Sequence, residues 1–282
     1  MRIATWNVNS IRARAERVID VLERHDLDAL AMQEIKCKPD QFPREAFLER
    51  GYELAIHGLN QWNGVAIASR IGLDGVLTEF PGQPGFTKGE PETGTDKELG
   101  FISEAAPEAR ALSAVVGAGM GAHPEGVRLW SLYVPNGRAV GDPHYHYKLE
   151  FLRCLREYVE AAPSAKAQPL ALVGDWNVIP TDQDVWDPSA IEGGLYMTDA
   201  ERAAFFAMGE AGLTEVTHER AEGYTFWDYK QLRFPRNEGM RIDFVFGSED
   251  FAARVRSVSI DRDERKGKGA SDHVPVIVEL ED

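Results

Sequence analysis

The sequence predicts an α/β fold in which two similar halves bring equivalent strand ends to one edge of a shared core. The tripeptide Trp-Asn-Val occurs twice, as Trp6-Asn7-Val8 in RIATWNVNSIRAR and Trp176-Asn177-Val178 in PLALVGDWNVIPTDQDV, and each copy closes an apolar run of strand character. Strand-like and helix-like segments interleave along the chain with no Pro/Ser-rich linker, so one domain over residues 1–282 is expected. Separate apolar strands also end abruptly in polar residues, the pattern that builds a polar site at a sheet edge.

Arg2 to Val8 reads as the first strand, followed by Asn9-Ser10 as the cap of a helix whose Ile11, Ala15, Val18 and Leu22 keep helical spacing. Asp28 to Gln33 is the second strand, completing a βαβ opening with Asn7 and Glu34 at neighbouring carboxyl ends. Tyr52 to His57 and Gly64 to Ser69 read as an antiparallel pair, and Pro81 to Pro107, rich in Gly, Pro, Glu and Thr, as a long surface loop. Strands follow at Ala111 to Val116 and Val127 to Val134. The glycines of Gly117-Ala118-Gly119-Met120-Gly121 mimic a dinucleotide loop, but Pro124 and Gly126 stand where a helix would start, so a hairpin is expected. Tyr147 to Val159 is an amphipathic helix, Leu170 to Gly174 a buried strand, and Thr198-Asp199-Ala200-Glu201 a capping box. Arg241 to Phe246 and Val274 to Leu280 close the chain as strands.

A chain of 282 residues with 43% hydrophobic content can bury a sizeable core. No apolar run approaches the roughly 20 residues of a membrane span, and Met1-Arg2 leads into a strand without the layout of a signal peptide. A cytoplasmic, soluble monomer is expected. Cys37 and Cys154 have no Cys or His at ligand spacing, which argues against zinc and against a disulfide framework. The net charge of -15 argues against a phosphate-rich partner, but its distribution does not. Arg12, Arg14 and Arg17 follow the first Asn turn, Lys36 and Lys38 follow Glu34, and WDYKQLRFPRNEGMR gathers Lys230, Arg233, Arg236 and Arg241. A solvated surface explains any one of these charges, whereas together they border the candidate site.

Glu34 ends an apolar strand in AMQEIK, and Asp175 and Asn177 follow Leu-Ala-Leu-Val. A carboxylate and an amide two residues apart on extended chain point the same way, which suits holding and deprotonating one water; an Asx turn accounts for the motif equally well. In Ser271-Asp272-His273, Asp272 suits a metal and His273 a phosphate oxygen, given a second carboxylate to fix the imidazole. Asp243 in RIDFVF is the candidate, because an Asp among Ile242, Phe244 and Val245 demands a partner. Tyr133 and Asn136 in LYVPNG end another apolar strand, where a plain hairpin is the alternative. Each motif alone has a structural explanation, but the separate explanations would all have to hold together.

TWNVNSIR, MQEIK, NGVAIASR, YVPNG, GDWNV, RIDFVF and SDHVP, in this order, resemble the exonuclease III branch of the endonuclease/exonuclease/phosphatase superfamily, with Pro81 to Gly126 matching poorly. The resemblance implies a four-layered α/β sandwich of the DNase I type, two facing mixed sheets flanked by helices. It implies a divalent metal, Mg2+ or Mn2+, at Glu34 and Asp272, which suits hard oxygen ligands, with Asn9 at a position where some relatives carry a metal-binding Asp. Asn7 matches the amide that holds the cluster together, Asp175 the residue that activates water or protonates the leaving oxygen, and Asn177 the one that orients it. Tyr133 matches a phosphate-contacting Tyr, and Asp243 with His273 the pair that presents a charged imidazole. Met240 stands where some abasic-site endonucleases carry a Trp, a softer wall for a sugar pocket, and Phe226 and Trp227 are further aromatic candidates. The implied activity is metal-dependent cleavage of double-stranded DNA, by incision at abasic sites, 3′-to-5′ exonuclease action at nicks and ends, and removal of blocked 3′ ends. The basic residues near the site, Arg12, Lys36, Lys230, Arg233 and Arg236, with Asn136, are expected as further substrate contacts. The rivals are a phosphoinositide or other small-molecule phosphatase on the same scaffold, disfavoured by the basic loop, and a non-catalytic nucleic-acid-binding regulator, which would have lost cluster members.

Overall fold

The computed structural model describes residues 1–86, 105–121, 123–161, 168–191 and 193–281. Its strands are β1 (Arg2–Asn7), β2 (Ala29–Gln33), β3 (Glu53–His57), β4 (Val65–Ser69), β5 (Asp74–Leu77), β6 (Ala111–Val116), β7 (Val127–Tyr133), β8 (Leu170–Asp175), β9 (Thr214–Glu215), β10 (Asp243–Gly247), β11 (Val255–Ile260) and β12 (Val276–Leu280). The helices are α1 (Ile11–Arg24), α2 (Arg44–Leu48), α3 (Pro143–Ala161), α4 (Asp199–Glu210) and α5 (Glu249–Ala253). They form two six-stranded mixed sheets, ordered β11-β12-β1-β2-β4-β3 and β5-β6-β7-β8-β10-β9.

The same plan is used twice. β1 lies parallel to β2 and antiparallel to β12, as β8 lies parallel to β7 and antiparallel to β10. The repeated Trp-Asn-Val therefore ends equivalent central strands. Each Trp anchors its strand to the neighbour: the indole N–H of Trp6 donates to the His273 carbonyl at 3.0 Å, and that of Trp176 to the Phe244 carbonyl at 3.1 Å.

Alternation along the strands makes the layers. Ala29, Ala31, Ala114, Ala171 and Val173 turn inward and join the two sheets in one core, where small side chains let the sheets approach. Leu30, Met32 and Trp6 turn outward onto α1 and α2, and Trp130, Leu172 and Phe244 onto α3 and α4. Both faces of the central strands are thus covered, which is why they read as unbroken apolar runs.

The expected strands and the antiparallel β3/β4 pair are present, β6 and β7 form a hairpin across the glycine run, and Thr198 caps α4 with Glu201 in a reciprocal box. The first helix differs from expectation. Ser10 stands at its cap without a side-chain bond, and Asn9 and Ser10 are both left-handed, at φ 42° and 86°. Their backbone is held instead by β2's extension, with Ser10 N–H donating to the Glu34 carbonyl at 2.7 Å. The expected loop from Pro81 to Pro107 is closed by an antiparallel bridge between Gly85 and Pro107, and its residues 87–104 lie outside those described.

Candidate active site

Register brings the polar strand ends into one cluster. Asp175 pairs across the sheet with Tyr133 on one side and Asp243 on the other. Gly174 makes that alignment possible, since a Cβ there would lie 1.9 Å from the Leu132 carbonyl oxygen. From the facing sheet, the Asn7 amide donates to Glu34 Oε1 at 2.8 Å and to Asp175 Oδ2 at 2.9 Å, so a single buried side chain ties both sheets together.

Asp175 is 1% exposed. Its Oδ1 accepts the Asn177 backbone N–H at 3.0 Å, and its Oδ2 lies 3.7 Å from His273 Nε2. Burial, and then the charges of Asp243 and Glu34, raise its carboxyl to about 7, against the opposing pull of His273 and Asn7. The Asx turn expected of GDWN is present, and it is what holds the carboxylate.

His273 is almost fully buried, with Nδ1 2.8 Å from Asp243 Oδ2. Burial disfavours its charge, but Asp243 and Asp175 outweigh burial and raise the imidazole to about 10. Asp243 does have the partner that its apolar setting demands.

Glu34 follows β2 in a left-handed turn, φ 51°, pinned by the Ile35 N–H on the Gly64 carbonyl at 3.1 Å. Burial pushes its carboxyl up, yet the Lys36 ammonium at 2.7 Å and the Asn7 amide outweigh this and hold it below the usual range. Tyr133 hydrogen-bonds to Glu34 through its hydroxyl, under the Arg110 guanidinium 4.8 Å from its ring; burial, and then Glu34, raise that phenol well above its ordinary value. Asn136 donates to the Tyr196 hydroxyl at 2.5 Å and to Asn177 Oδ1 at 3.3 Å, and the Asn177 amide donates to the Val134 carbonyl at 2.9 Å.

Oxygen donors for a cation lie on the outer side of this cluster. The Asn9 amide donates to Asp272 Oδ1 at 2.9 Å, while Asn9 Oδ1 accepts the Lys36 ammonium at 2.5 Å. Lys36 thus already places a cation between Glu34 and Asn9, which shows that the donor set suits positive charge. Ligand-type atoms of Glu34, Asp175 and His273 also fall within 4.8 Å of one another. His273 is a poor member of such a set, because a charged imidazole has no free lone pair.

Several residues of the expected substrate-binding set and of the basic loop already have partners within the protein. Trp227 is fully buried, packed edge-on against Phe234 at 5.2 Å and beneath Arg262, so it is core and not a contact surface. Lys36 is turned inward onto Glu34 and Asn9. Arg233 and Arg236 are matched by Glu238 within their own loop, at 3.5 and 2.8 Å, and Arg241 is buried against Asp184 at 3.3 Å. Arg12 and Lys230 are exposed. Phe226 reaches the site, its ring 4.9 Å from that of His273, and pairs with Met240. Together with Ile242, Val185 and Met197 these two line an apolar patch beside the imidazole. Sequence reading did not single out Arg110, Tyr196 or Tyr229, whose hydroxyl accepts from Arg14 at 3.0 Å and touches Asn9 at 3.4 Å.

The model of the endonuclease/exonuclease/phosphatase family matches residues 4–273. The chain belongs to that family. Within it, the exonuclease III branch is the one this chain resembles throughout. It is 24% identical to exodeoxyribonuclease III of Haemophilus influenzae over 99% of this chain and 100% of that one. Among solved structures, a Neisseria 3′ phosphatase, NExo, bound to a product DNA hairpin matches with a TM-score of 0.85 and 30% identity, covering 100% of this chain and 99% of that one. An AP endonuclease from Archaeoglobus fulgidus matches with a TM-score of 0.82 and 29% identity, covering 100% and 99%. This member of the exonuclease III branch is a DNA repair nuclease.

Proposed function

We propose that this nuclease hydrolyses phosphodiesters of double-stranded DNA at abasic sites, nicks and blocked 3′ ends, as a cytoplasmic monomer built as one domain. The observation that carries the reading is Asp175, a buried carboxylate near neutrality, held by Asn7 and Asn177 beside an imidazolium. Asp175 takes the proton of the attacking water, for which a value near working pH is well matched. His273, held and kept charged by Asp243, donates from Nε2 to a phosphate oxygen. Asn177 keeps one amide N–H beyond its bond to Val134 as a neutral donor, while Tyr133 and Asn136, already bonded to Glu34 and Asn177, hold those groups in place. Asn7 keeps the Glu34 and Asp175 carboxylates apart and oriented.

Glu34 and Asp272, with the Asn9 amide oxygen, are the residues that would hold a Mg2+ or Mn2+ ion. When bound, such an ion supplies positive charge against the phosphate and the departing oxygen. Phe226 and Met240 give the sugar of a base-free nucleotide an apolar wall next to His273. Arg12 and Lys230, exposed at the same edge, meet the flanking phosphates.

The test is cleavage of abasic, nicked and 3′-phosphate duplexes side by side, with Mg2+ and with chelator, alongside inositol phosphates. Metal-dependent cleavage of the duplexes is expected. Turnover of inositol phosphates without cleavage of any duplex would overturn the reading in favour of a small-molecule phosphatase.

A further inference from the structure

Lys148 on α3 and Glu201 on α4 are fully buried and joined as an ion pair. Moving both charges out of water is costly, and apolar side chains of equal volume would hold two helices together as well or better. Stability alone does not account for them.

The ammonium makes a second bond, to the main-chain carbonyl of Asn177 at 2.5 Å, and lies 5.1 Å from the centre of the Tyr196 ring. Glu201 also accepts the Tyr196 N–H at 3.1 Å and the Thr198 hydroxyl at 2.9 Å. Both charges are fully committed to the segment that faces the site. Asn177 is left-handed, φ 51°, a conformation that costs a residue with a Cβ and persists only where surroundings enforce it. In that conformation its N–H reaches Asp175 Oδ1 and its side chain spans Val134 and Asn136.

We propose that Lys148 is a positioning residue for the hydrolytic step: by binding the Asn177 carbonyl from behind, it locks the left-handed turn that aims Asp175 and Asn177 at the substrate. Glu201 keeps the ammonium charged and in place. The inference rests on the reading of Asp175 and Asn177 as catalytic.

The test is Lys148→Met with Glu201→Gln, a near volume-conserving neutral pair that retains an acceptor for the Thr198 cap. Misplacing a reacting group by about 1 Å costs on the order of 10²-fold. The expected result is kcat lower by about 10- to 100-fold per titrated active site, with KM for duplex within about twofold, measured well below the melting temperature. A merely structural role would lower the melting temperature and leave that split unmoved. A folded double variant with parental kcat overturns the proposal. Should the double variant not fold, Lys148→Met alone decides: it removes the donor to the Asn177 carbonyl and leaves Glu201 free to be protonated, so kcat falls if the proposal holds and stays parental if it does not. Asp175→Asn is run in parallel. If that variant stays active, the catalytic reading fails; if it is inactive while the Lys148 variants are normal, only the positioning role fails.

Discussion

Replacing Asp243 by Asn should move the alkaline limit of activity by about three pH units. The carboxylate lies 2.8 Å from His273 Nδ1, and both groups are buried. With charge centres about 4 Å apart and an effective dielectric of about 20, their attraction is about 4 kcal/mol, equivalent to about three pH units. An amide can still accept the Nδ1 hydrogen, so the ring keeps its orientation while it loses the charge that keeps it protonated. The imidazole should therefore titrate near 7 in the variant, instead of about 10 in the parent. Removing Asp243 also relieves Asp175 of a repelling charge, so the acid limb should shift downward, in the opposite sense to a simple loss of base. The assay is kcat/KM for an abasic duplex from pH 6 to 9.5, paired with an NMR titration of the His273 ring in metal-free protein. At pH 8 a group titrating at 7 is about one-tenth protonated, so activity there should fall roughly tenfold from its maximum. A variant whose ring still titrates above pH 9, with the parental alkaline limb, would refute the assignment of Asp243 as the source of the charge.

Asp175→Asn should lower kcat by about 10² to 10⁴ while duplex affinity, measured by anisotropy, stays near parental; cleavage within a few-fold of the parent would leave Asp175 a turn residue only. Glu34→Gln should raise the Mg2+ concentration needed for half-maximal rate, because an amide is a weaker ligand for a hard cation, and an unchanged titration would remove Glu34 from the metal site. Lys230→Ala should weaken duplex binding and make the slope of log affinity against log salt shallower by roughly 0.9. Arg236→Ala should change that slope less, since Glu238 already offsets the guanidinium; equal slopes for the two variants would show that the loop rearranges on binding.

The site's composition was legible because its members violate the local pattern that surrounds them. Asp243 interrupts Ile-x-Phe-Val-Phe, and a buried carboxylate in such a strand predicts a partner, which the structure supplies in His273. The repeated Trp-Asn-Val likewise foretold equivalent central strands. What sequence left open was pairing. Arg233 and Arg236 stood as free cations until the chain folded back to bring Glu238 onto both. Lys148 sits in an amphipathic helix with nothing to mark it, because its partner lies 53 residues away on another helix. Edge strands β5, β9 and β11 carry no apolar run, being short or exposed, so periodicity does not reveal them. The left-handed turns at Asn9, Glu34 and Asn177 occur without glycine and are enforced by tertiary bonds.

The cluster is stitched from opposite ends of the chain. Trp6 bonds to residue 273, the Ser271 hydroxyl to the Asn7 carbonyl, and β12 lies against β1 in the middle of a sheet. During synthesis Asp175, His273 and the Asn7 amide that bonds Asp175 can meet only once residue 273 has been added. A chain that stops short of residue 271 has neither His273 nor the strand that seats β1, so this cluster does not assemble in it. In this DNA repair nuclease, the order of residues along the chain thus makes assembly of the cluster wait on the joining of distant segments.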